Sequence, residues 1–205
     1  MKLIDISRPI HPGMPHWPGD TPTDFSLVAA MAQGATVNVG KLTLSTHNGT
    51  HADAPFHYDE AGARMDAVPP ETYVGPARVV DVRGHATITI ALLVAHDFAG
   101  TPRVLFKTDA WTNPTIFPTD WPLLASDVPA WLAARRVILC GFDVPSVDSL
   151  KSKDLPIHHA LRRANIVILE SLDLRAVAPG VYELIALPLR LVGGDGSPVR
   201  AVLRS

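Results

Sequence analysis

The stretch STHNGTHADAPFHYDE, residues 45–60, says most about the fold and chemistry of this chain. Three of the nine histidines and one aspartate fall within eleven residues: His47, His51, Asp53 and His57. A helix is disfavoured here, because Asn48-Gly49 is a turn dipeptide and Pro55 follows closely. We therefore predict the end of a strand that turns into an extended loop.

The spacing of these residues suits a metal site. Side chains two positions apart in an extended chain point to the same side, so His51 and Asp53 share a face. Gly49 lets the backbone turn, so that His47 can come round to the same point. Two imidazoles and a carboxylate are typical of catalytic zinc with one position open for water. Asp53 has two oxygens and could bridge to a second metal. The alternative is a hydrogen-bonded polar turn.

A second metal would need ligands from elsewhere in the chain, and there are two candidates. Glu170 lies in the apolar run IVILESL, where an unpaired carboxylate is costly to bury and needs a cation. His158 follows Leu155-Pro156, the predicted start of a helix. The adjacent His159 points about 100° round that helix, away from any shared ligand. The alternative for Glu170 is a salt bridge to an arginine.

Short apolar runs on both sides of this stretch predict a sheet of many strands. The N-terminal KLIDISRPI predicts an edge strand that ends at Pro9, and two strands are predicted around a turn at Gln33-Gly34. Buried strands are predicted for the runs ARVVDVRG, RVLFKTD, RRVILCGFD and IVILESLDL. The last 26 residues predict a hairpin around GGDG, residues 193–196, which we interpret as a plain turn.

Only three stretches predict helices: 88–98, 127–135 and the part of 149–165 that begins at Leu155-Pro156. Helices between strands favour an α/β fold, while the β-rich start and end favour a mixed sheet over a regular doubly wound one. The 19 prolines are spread along the chain and indicate many loops and short strands. At 205 residues, the chain is expected to form a single domain, 1–205.

Composition excludes several classes of protein. The chain is 47% hydrophobic and 19% charged, which is typical of a globular protein. Its net charge of −2 comes from mixed acidic and basic residues, so we expect neither nucleic acid nor a membrane surface as partner. No apolar run is long enough to span a membrane, and the N-terminus lacks a secretory signal. We expect a cytoplasmic protein that acts on a small molecule.

Residues 47–57, HNGTHADAPFH, resemble the H-x-G-T-H-x-D-x-P-x-H signature of the cyclase-like metal-dependent hydrolases. That family includes bacterial kynurenine formamidase (arylformamidase) and isatin hydrolase. The opening LIDISRPIHPGMPHWPGD is similar to the family's N-terminus, and HWPGD, residues 16–20, resembles the formamidase subgroup. Residues 141–148 and 155–172 resemble two further family segments. The resemblance thus covers nearly the whole chain.

The resemblance implies a swivelling β/β/α domain, a homodimer, and two divalent metal ions per protomer. The implied ligands are His47, His51 and Asp53 for one metal, and Asp53, His158 and Glu170 for the other. The resemblance also allows Glu170 to touch both metals, and His158 fits the family spacing better than His159. Zinc is usual in the formamidases and manganese in isatin hydrolase, and the ligand set admits either.

The implied activity is that of an arylformamidase of tryptophan degradation, which hydrolyses N-formyl-L-kynurenine to L-kynurenine and formate. A metal-activated hydroxide would attack the formyl carbon, and His57 would be the general acid/base that protonates the departing amine. Trp17 would line the substrate pocket by stacking on an aromatic ring.

Two other functions stay open at this point. One is hydrolysis of a cyclic amide such as isatin by the same metal centre, which HWPGD disfavours. The other is a structural metal site in a protein that is not an enzyme. His57 disfavours the structural site, because it is a further histidine beside the ligand set that a structural site does not need.

Overall fold

The structure, a computed structural model, describes residues 2–205 and is built around a mixed sheet. Its strands are β1 (Leu3–Asp5), β2 (Asp24–Ala29), β3 (Val39–Thr43), β4 (His51–Asp53), β5 (Val74–Asp81), β6 (Thr87–Ile88), β7 (Arg103–Lys107), β8 (Leu123–Leu124), β9 (Leu139–Phe142), β10 (Val167–Glu170), β11 (Gly180–Ile185), β12 (Gly196–Pro198) and β13 (Val202–Arg204). Its α-helices are α1 (Ile90–Leu93), α2 (Val128–Ala133) and α3 (Pro156–Arg163). Short 3₁₀ helices lie at Met31–Gln33, Pro55–His57, Met65–Ala67 and Pro70–Tyr73.

Nine strands form the main sheet, in the order β1-β13-β11-β5-β7-β9-β10-β4-β12. The four central strands β5, β7, β9 and β10 are parallel, and the strands on either side of them are antiparallel. The predicted mixed sheet with many short strands and few helices is therefore confirmed. Separate two-stranded sheets are formed by β2 with β3 and by β6 with β8.

Two hydrophobic clusters cover opposite faces of the sheet, because side chains alternate along each strand. In β7, Val104 and Phe106 belong to the cluster that also contains Leu132 of α2 and Leu161 of α3. Leu105, between them, belongs to the second cluster with Tyr73, Leu139, Leu169 and Leu203. The central strands are buried on both faces, which explains their continuous apolar runs.

Most of the predicted elements are present. The N-terminal edge strand, the strand pair around Gln33-Gly34, the buried strands and the helix that begins at Pro156 are confirmed. The helix predicted over 88–98 is reduced to four residues in α1. Within residues 2–205, no helix combines the length and apolar character needed to cross a membrane.

The predicted C-terminal hairpin is confirmed, because β11 pairs antiparallel with β13 and a bridge between Pro188 and Val199 continues the same register towards the Gly-rich turn. Within the returning arm of this hairpin, β12 pairs with β4 and covers its otherwise open edge. The Gly-rich turn before β12 is thereby placed beside the histidine stretch.

Candidate metal centre

Strand pairing and one helix start bring the predicted ligands together. β4 carries His51 and Asp53 and lies between β10 and β12. In the β4–β10 pair, Glu170 lies directly opposite His51. Gly49 has a φ of +68°, so the chain turns just before β4 and returns the side chain of His47 towards Asp53. His158 lies in the first turn of α3.

The two oxygens of Asp53 face different histidines. Oδ1 lies 3.0 Å from Nδ1 of His47 and 3.4 Å from Nε2 of His51. Oδ2 lies 3.6 Å from Nε2 of His158. This is the arrangement expected of a carboxylate that contributes one oxygen to each of two neighbouring sites.

Glu170 is arranged in the same way. Its Oε2 lies 3.3 Å from Nε2 of His51, and its Oε1 lies 3.8 Å from Nε2 of His158. Oε1 also accepts a hydrogen bond of 2.8 Å from the backbone N–H of Val147. Its ion-pair partners are therefore histidines and not the arginine considered as an alternative. Asp53 and Glu170 thus each lie between His158 on one side and a histidine of residues 45–60 on the other.

The centre is buried and has unpaired polar atoms. His51, Asp53, His158 and Glu170 are each at most 4% exposed. Nε2 of His51 and Oδ2 of Asp53 have no hydrogen-bond partner, which is costly for buried atoms. A divalent cation among them would satisfy both atoms, and a donor set of imidazoles and carboxylates suits Zn²⁺ or Mn²⁺. The residues present thus fit a metal centre.

The pKa values of these residues also indicate that the buried carboxylates need positive charge beside them. Burial by itself would lower the pKa of these histidines, but hydrogen bonds to carboxylates outweigh it. The pKa of His47 rises to about 9, and those of His51 and His158 rise to about 10. Burial opposes ionisation of Asp53, yet its contacts with the three histidines hold its pKa well below the usual value. Without a metal, protons supply the positive charge that the carboxylates require.

Each of the three histidines is held through the ring nitrogen that faces away from the cluster. Nδ1 of His51 lies 2.9 Å from the carbonyl oxygen of Gly49. Nδ1 of His158 lies 2.8 Å from Oδ2 of Asp148, which also accepts the backbone N–H of His158. Nε2 of His47 lies 3.1 Å from Oδ2 of Asp195. Such contacts fix the orientation and tautomer of metal-binding histidines.

Neither of these aspartates was predicted from the sequence as a site residue. Asp148 lies in GFDVPSVD, a segment that was matched to the family without a role for its residues. Asp195 lies in GGDG, which was interpreted as a plain turn. Asp148 is ten residues from His158 and Asp195 is 148 residues from His47, so neither contact follows from the period of a helix or a strand.

His57 lies beside the cluster and faces the cavity. It ends the 3₁₀ helix Pro55–His57, and its ring centroid is 3.9 Å from that of His47 and 6.0 Å from that of His158. Its side chain is 34% exposed, and burial, partly offset by Asp53, lowers its pKa to about 4. Asp53, His57 and His158 are also close enough to hold one ion, so geometry alone leaves a ligand role for His57 open.

His158 and His159 are separated clearly by their surroundings. His158 is 3% exposed and points at the carboxylates. His159 is only partly buried, and its ring packs edge-on against Tyr58 at a centroid distance of 6.3 Å. The helix thus directs one of the two adjacent histidines at the cluster, as its geometry predicts.

A cavity of about 300 Å³ opens onto the cluster. His47, His51, His57, His158 and Glu170 line its polar end. Trp17, Trp111 and Phe117 line its aromatic wall. Trp17 packs edge-on against Phe117 at 5.8 Å, and the guanidinium of Arg8 lies 3.7 Å from the ring centre of Trp111. Trp17 and four of the five candidate ligands therefore share one cavity within one chain. Trp111 and Phe117 were not predicted from the sequence.

Solved structures share this fold. A structure described as a potential metal-dependent hydrolase with cyclase activity superposes with a TM-score of 0.84 and 29% identity, covering 98% of this chain and 96% of that chain. Isatin hydrolase A from Ralstonia solanacearum also gives a TM-score of 0.84, at 24% identity, covering 98% of this chain and 91% of that one. At that identity, the similarity to isatin hydrolase concerns the fold alone.

Sequence comparison gives the family. The Cyclase family model matches residues 4–149, more than half of the chain. A kynurenine formamidase of Geobacillus thermodenitrificans is 49% identical over 201 residues, which cover 98% of this chain and 96% of that protein. The chain belongs to the cyclase family of metal-dependent hydrolases.

Proposed function

We propose that this protein is an arylformamidase that hydrolyses N-formyl-L-kynurenine to L-kynurenine and formate. The observation that carries the proposal is the aromatic-walled cavity that opens onto a buried cluster of histidines and carboxylates. The 49% identity to a protein named kynurenine formamidase supports this choice among the hydrolases of the family. An aryl formamide matches both ends of the cavity, since its ring needs apolar contacts and its formyl group needs polar ones.

The proposed cofactor is a pair of divalent ions per chain, zinc or manganese. His47, His51 and Asp53 would hold one ion, and Asp53, His158 and Glu170 would hold the other. Glu170 would be able to contact both ions, because its two oxygens face different histidines. Ions in such a site supply a nucleophile near neutral pH and polarise the carbonyl group under attack.

The protein's own side chains would position the substrate and move a proton. Trp17 would stack on the aryl ring, with Trp111 and Phe117 completing a wall that excludes water. His57 is proposed as the general acid/base, because it faces the cavity beside the cluster and is more exposed than the proposed ligands. It would pass a proton to the departing aryl amine nitrogen, which is too basic to leave as an anion.

The substrate proposal is tested by comparing two compounds on zinc-loaded protein. N-formyl-L-kynurenine should be turned over with release of one formate per molecule, and isatin should be opened slowly or not at all. Rapid opening of isatin without formate release from the formamide would keep the metal centre and overturn the proposed substrate.

A homodimer is proposed as well, through the pair β2–β3. A two-stranded hairpin is at best marginally stable alone, and this one stands outside the main sheet. Nearly all of its residues are exposed, including the large apolar side chains Phe25, Leu27, Val28, Val39 and Leu42. An exposed apolar surface of this kind is typical of an interface. A second copy of the chain would cover it.

A further inference from the structure

We propose that Asp195 is a positioning residue for the metal centre: it holds the ring of His47 so that Nδ1 faces the metal. The inference rests on the proposed metal-binding role of His47 and extends it to a segment, residues 193–196, that no motif marks. It predicts which ring nitrogen binds the ion and which side chain enforces that choice.

The contacts of His47 lie on opposite sides of its ring. Nε2 is 3.1 Å from Oδ2 of Asp195, and Nδ1 is 3.0 Å from Oδ1 of Asp53. A neutral imidazole carries one N–H and one lone pair, so a ring that donates its Nε2–H to Asp195 presents the Nδ1 lone pair to the cluster. Asp195 is itself held, because the hydroxyl of Thr46 donates a hydrogen bond of 2.9 Å to its Oδ1.

The turn is shaped around the ring of His47. A side chain at Gly196 would place its Cβ 2.7 Å from Cε1 and 3.0 Å from Nε2 of His47, so only glycine lets the ring lie against this backbone. The carbonyl oxygen of Asp195 accepts a hydrogen bond of 2.8 Å from the N–H of Ala54. Gly196 pairs with Asp53 in the β4–β12 ladder. The turn is thus tied to the strand that carries the other ligands.

The other two histidines are also held by an oxygen atom that contacts the ring nitrogen facing away from the cluster. Asp148 holds His158, and the carbonyl oxygen of Gly49 holds His51. Asp195 completes the set, but it differs in exposure: its side chain is 42% exposed, whereas that of Asp148 is 2% exposed. Replacing Asp195 should therefore disturb the fold little, which makes its role accessible to mutation.

Metal binding is the informative measurement, because Oδ2 of Asp195 also lies 3.9 Å from Nδ1 of His57. A loss of activity alone would not separate an effect on His47 from one on His57. We would titrate metal-free Asp195→Ala with Zn²⁺ by calorimetry and with Co²⁺ by visible absorption. We expect the affinity for one equivalent to fall about 10- to 100-fold, while the other equivalent binds as in the wild type.

Two further variants make the result specific. Asp195→Asn keeps an acceptor oxygen, so its loss of affinity should be smaller, and it serves if the alanine variant does not fold. Asp66→Asn is the matched control, because Asp66 accepts the N–H of Gly193 in the same turn without touching a histidine. It should bind both equivalents normally; a loss as large as that of Asp195→Ala would show that only the turn's structure matters and would overturn the inference.

The ring nitrogen itself can be observed by ¹⁵N NMR of histidine-labelled, zinc-loaded wild-type protein. We expect His47 to show a metal-bound Nδ1 and a protonated Nε2. Binding through Nε2, or wild-type affinity in Asp195→Ala, would overturn the inference. These measurements need no substrate, so failure of the formamidase proposal would appear separately, as absence of formate release by protein that binds metal normally.

Discussion

At the scale of single residues, the candidate centre depends on two carboxylates, and the two oxygens of each face different histidines. Asp53 and Glu170 each face His158 with one oxygen and the histidines of residues 45–60 with the other. The period of two along a strand was enough to predict that His51 and Asp53 share a face. The supporting roles of Asp148 and Asp195 were not predictable, because the separations from their histidines, ten and 148 residues, match no helix or strand period.

Replacing His57 by alanine tests its role as acid/base rather than ligand. We expect His57→Ala to bind both metals and to lose about 10²- to 10⁴-fold in turnover, the usual contribution of a general acid or base. Metal content and formate release would be measured on the same preparation. His159→Ala is the matched control, since this histidine packs against Tyr58 outside the cluster, and it should keep both properties. Loss of metal from His57→Ala would make His57 a ligand.

Replacing Asp53 by asparagine tests the proposed bridge. The amide is neutral and binds a hard cation less well than a carboxylate, so Asp53→Asn should lose both metals rather than one. Metal content by elemental analysis measures this. Asp59→Asn is a suitable control, because Asp59 lies close in sequence but pairs with Arg162 instead of the histidines. Two metals bound to Asp53→Asn with wild-type affinity would rule out the two-metal assignment.

At the scale of elements, the position of β4 matters most. This strand of three residues carries two proposed ligands, and its neighbours β10 and β12 bring Glu170 and the turn of Asp195 to it. Helix α3 begins at Pro156, which directs His158 inwards from the first turn. The start of α3 was predictable from its proline, whereas the partner of β12 was not.

The hairpin β2–β3 leads to a prediction about the oligomeric state of the protein. Leu27 is 51% exposed in β2, and a charge there would be buried without a partner if two copies pair through this hairpin. We expect Leu27→Asp to be monomeric by light scattering after size exclusion, while the wild type is a dimer. Val94→Asp, at an apolar position next to α1 that is 61% exposed, should leave the dimer intact. A dimeric Leu27→Asp would place the interface elsewhere.

At the scale of the whole molecule, the kinds of element were predictable and their arrangement only partly so. Apolar runs predicted the buried strands, because a strand that is buried on both faces has apolar residues at successive positions. The C-terminal hairpin was predictable because a Gly-rich turn separates two β-rich runs, and β11 with β13 and the Pro188–Val199 bridge form it. The additional pairing of residues 196–198 with β4 was not predictable, because no local pattern identifies a partner strand that is distant in sequence. That pairing completes the surroundings of His47.

The claim that the histidine–carboxylate cluster drives formamide hydrolysis is tested most directly by titrating metal-free protein with zinc while formate release from N-formyl-L-kynurenine is followed. We expect no formate from the metal-free protein and a rate that rises until two equivalents of zinc per chain have bound. Formate release from metal-free protein as fast as from the zinc-loaded protein would contradict the claim.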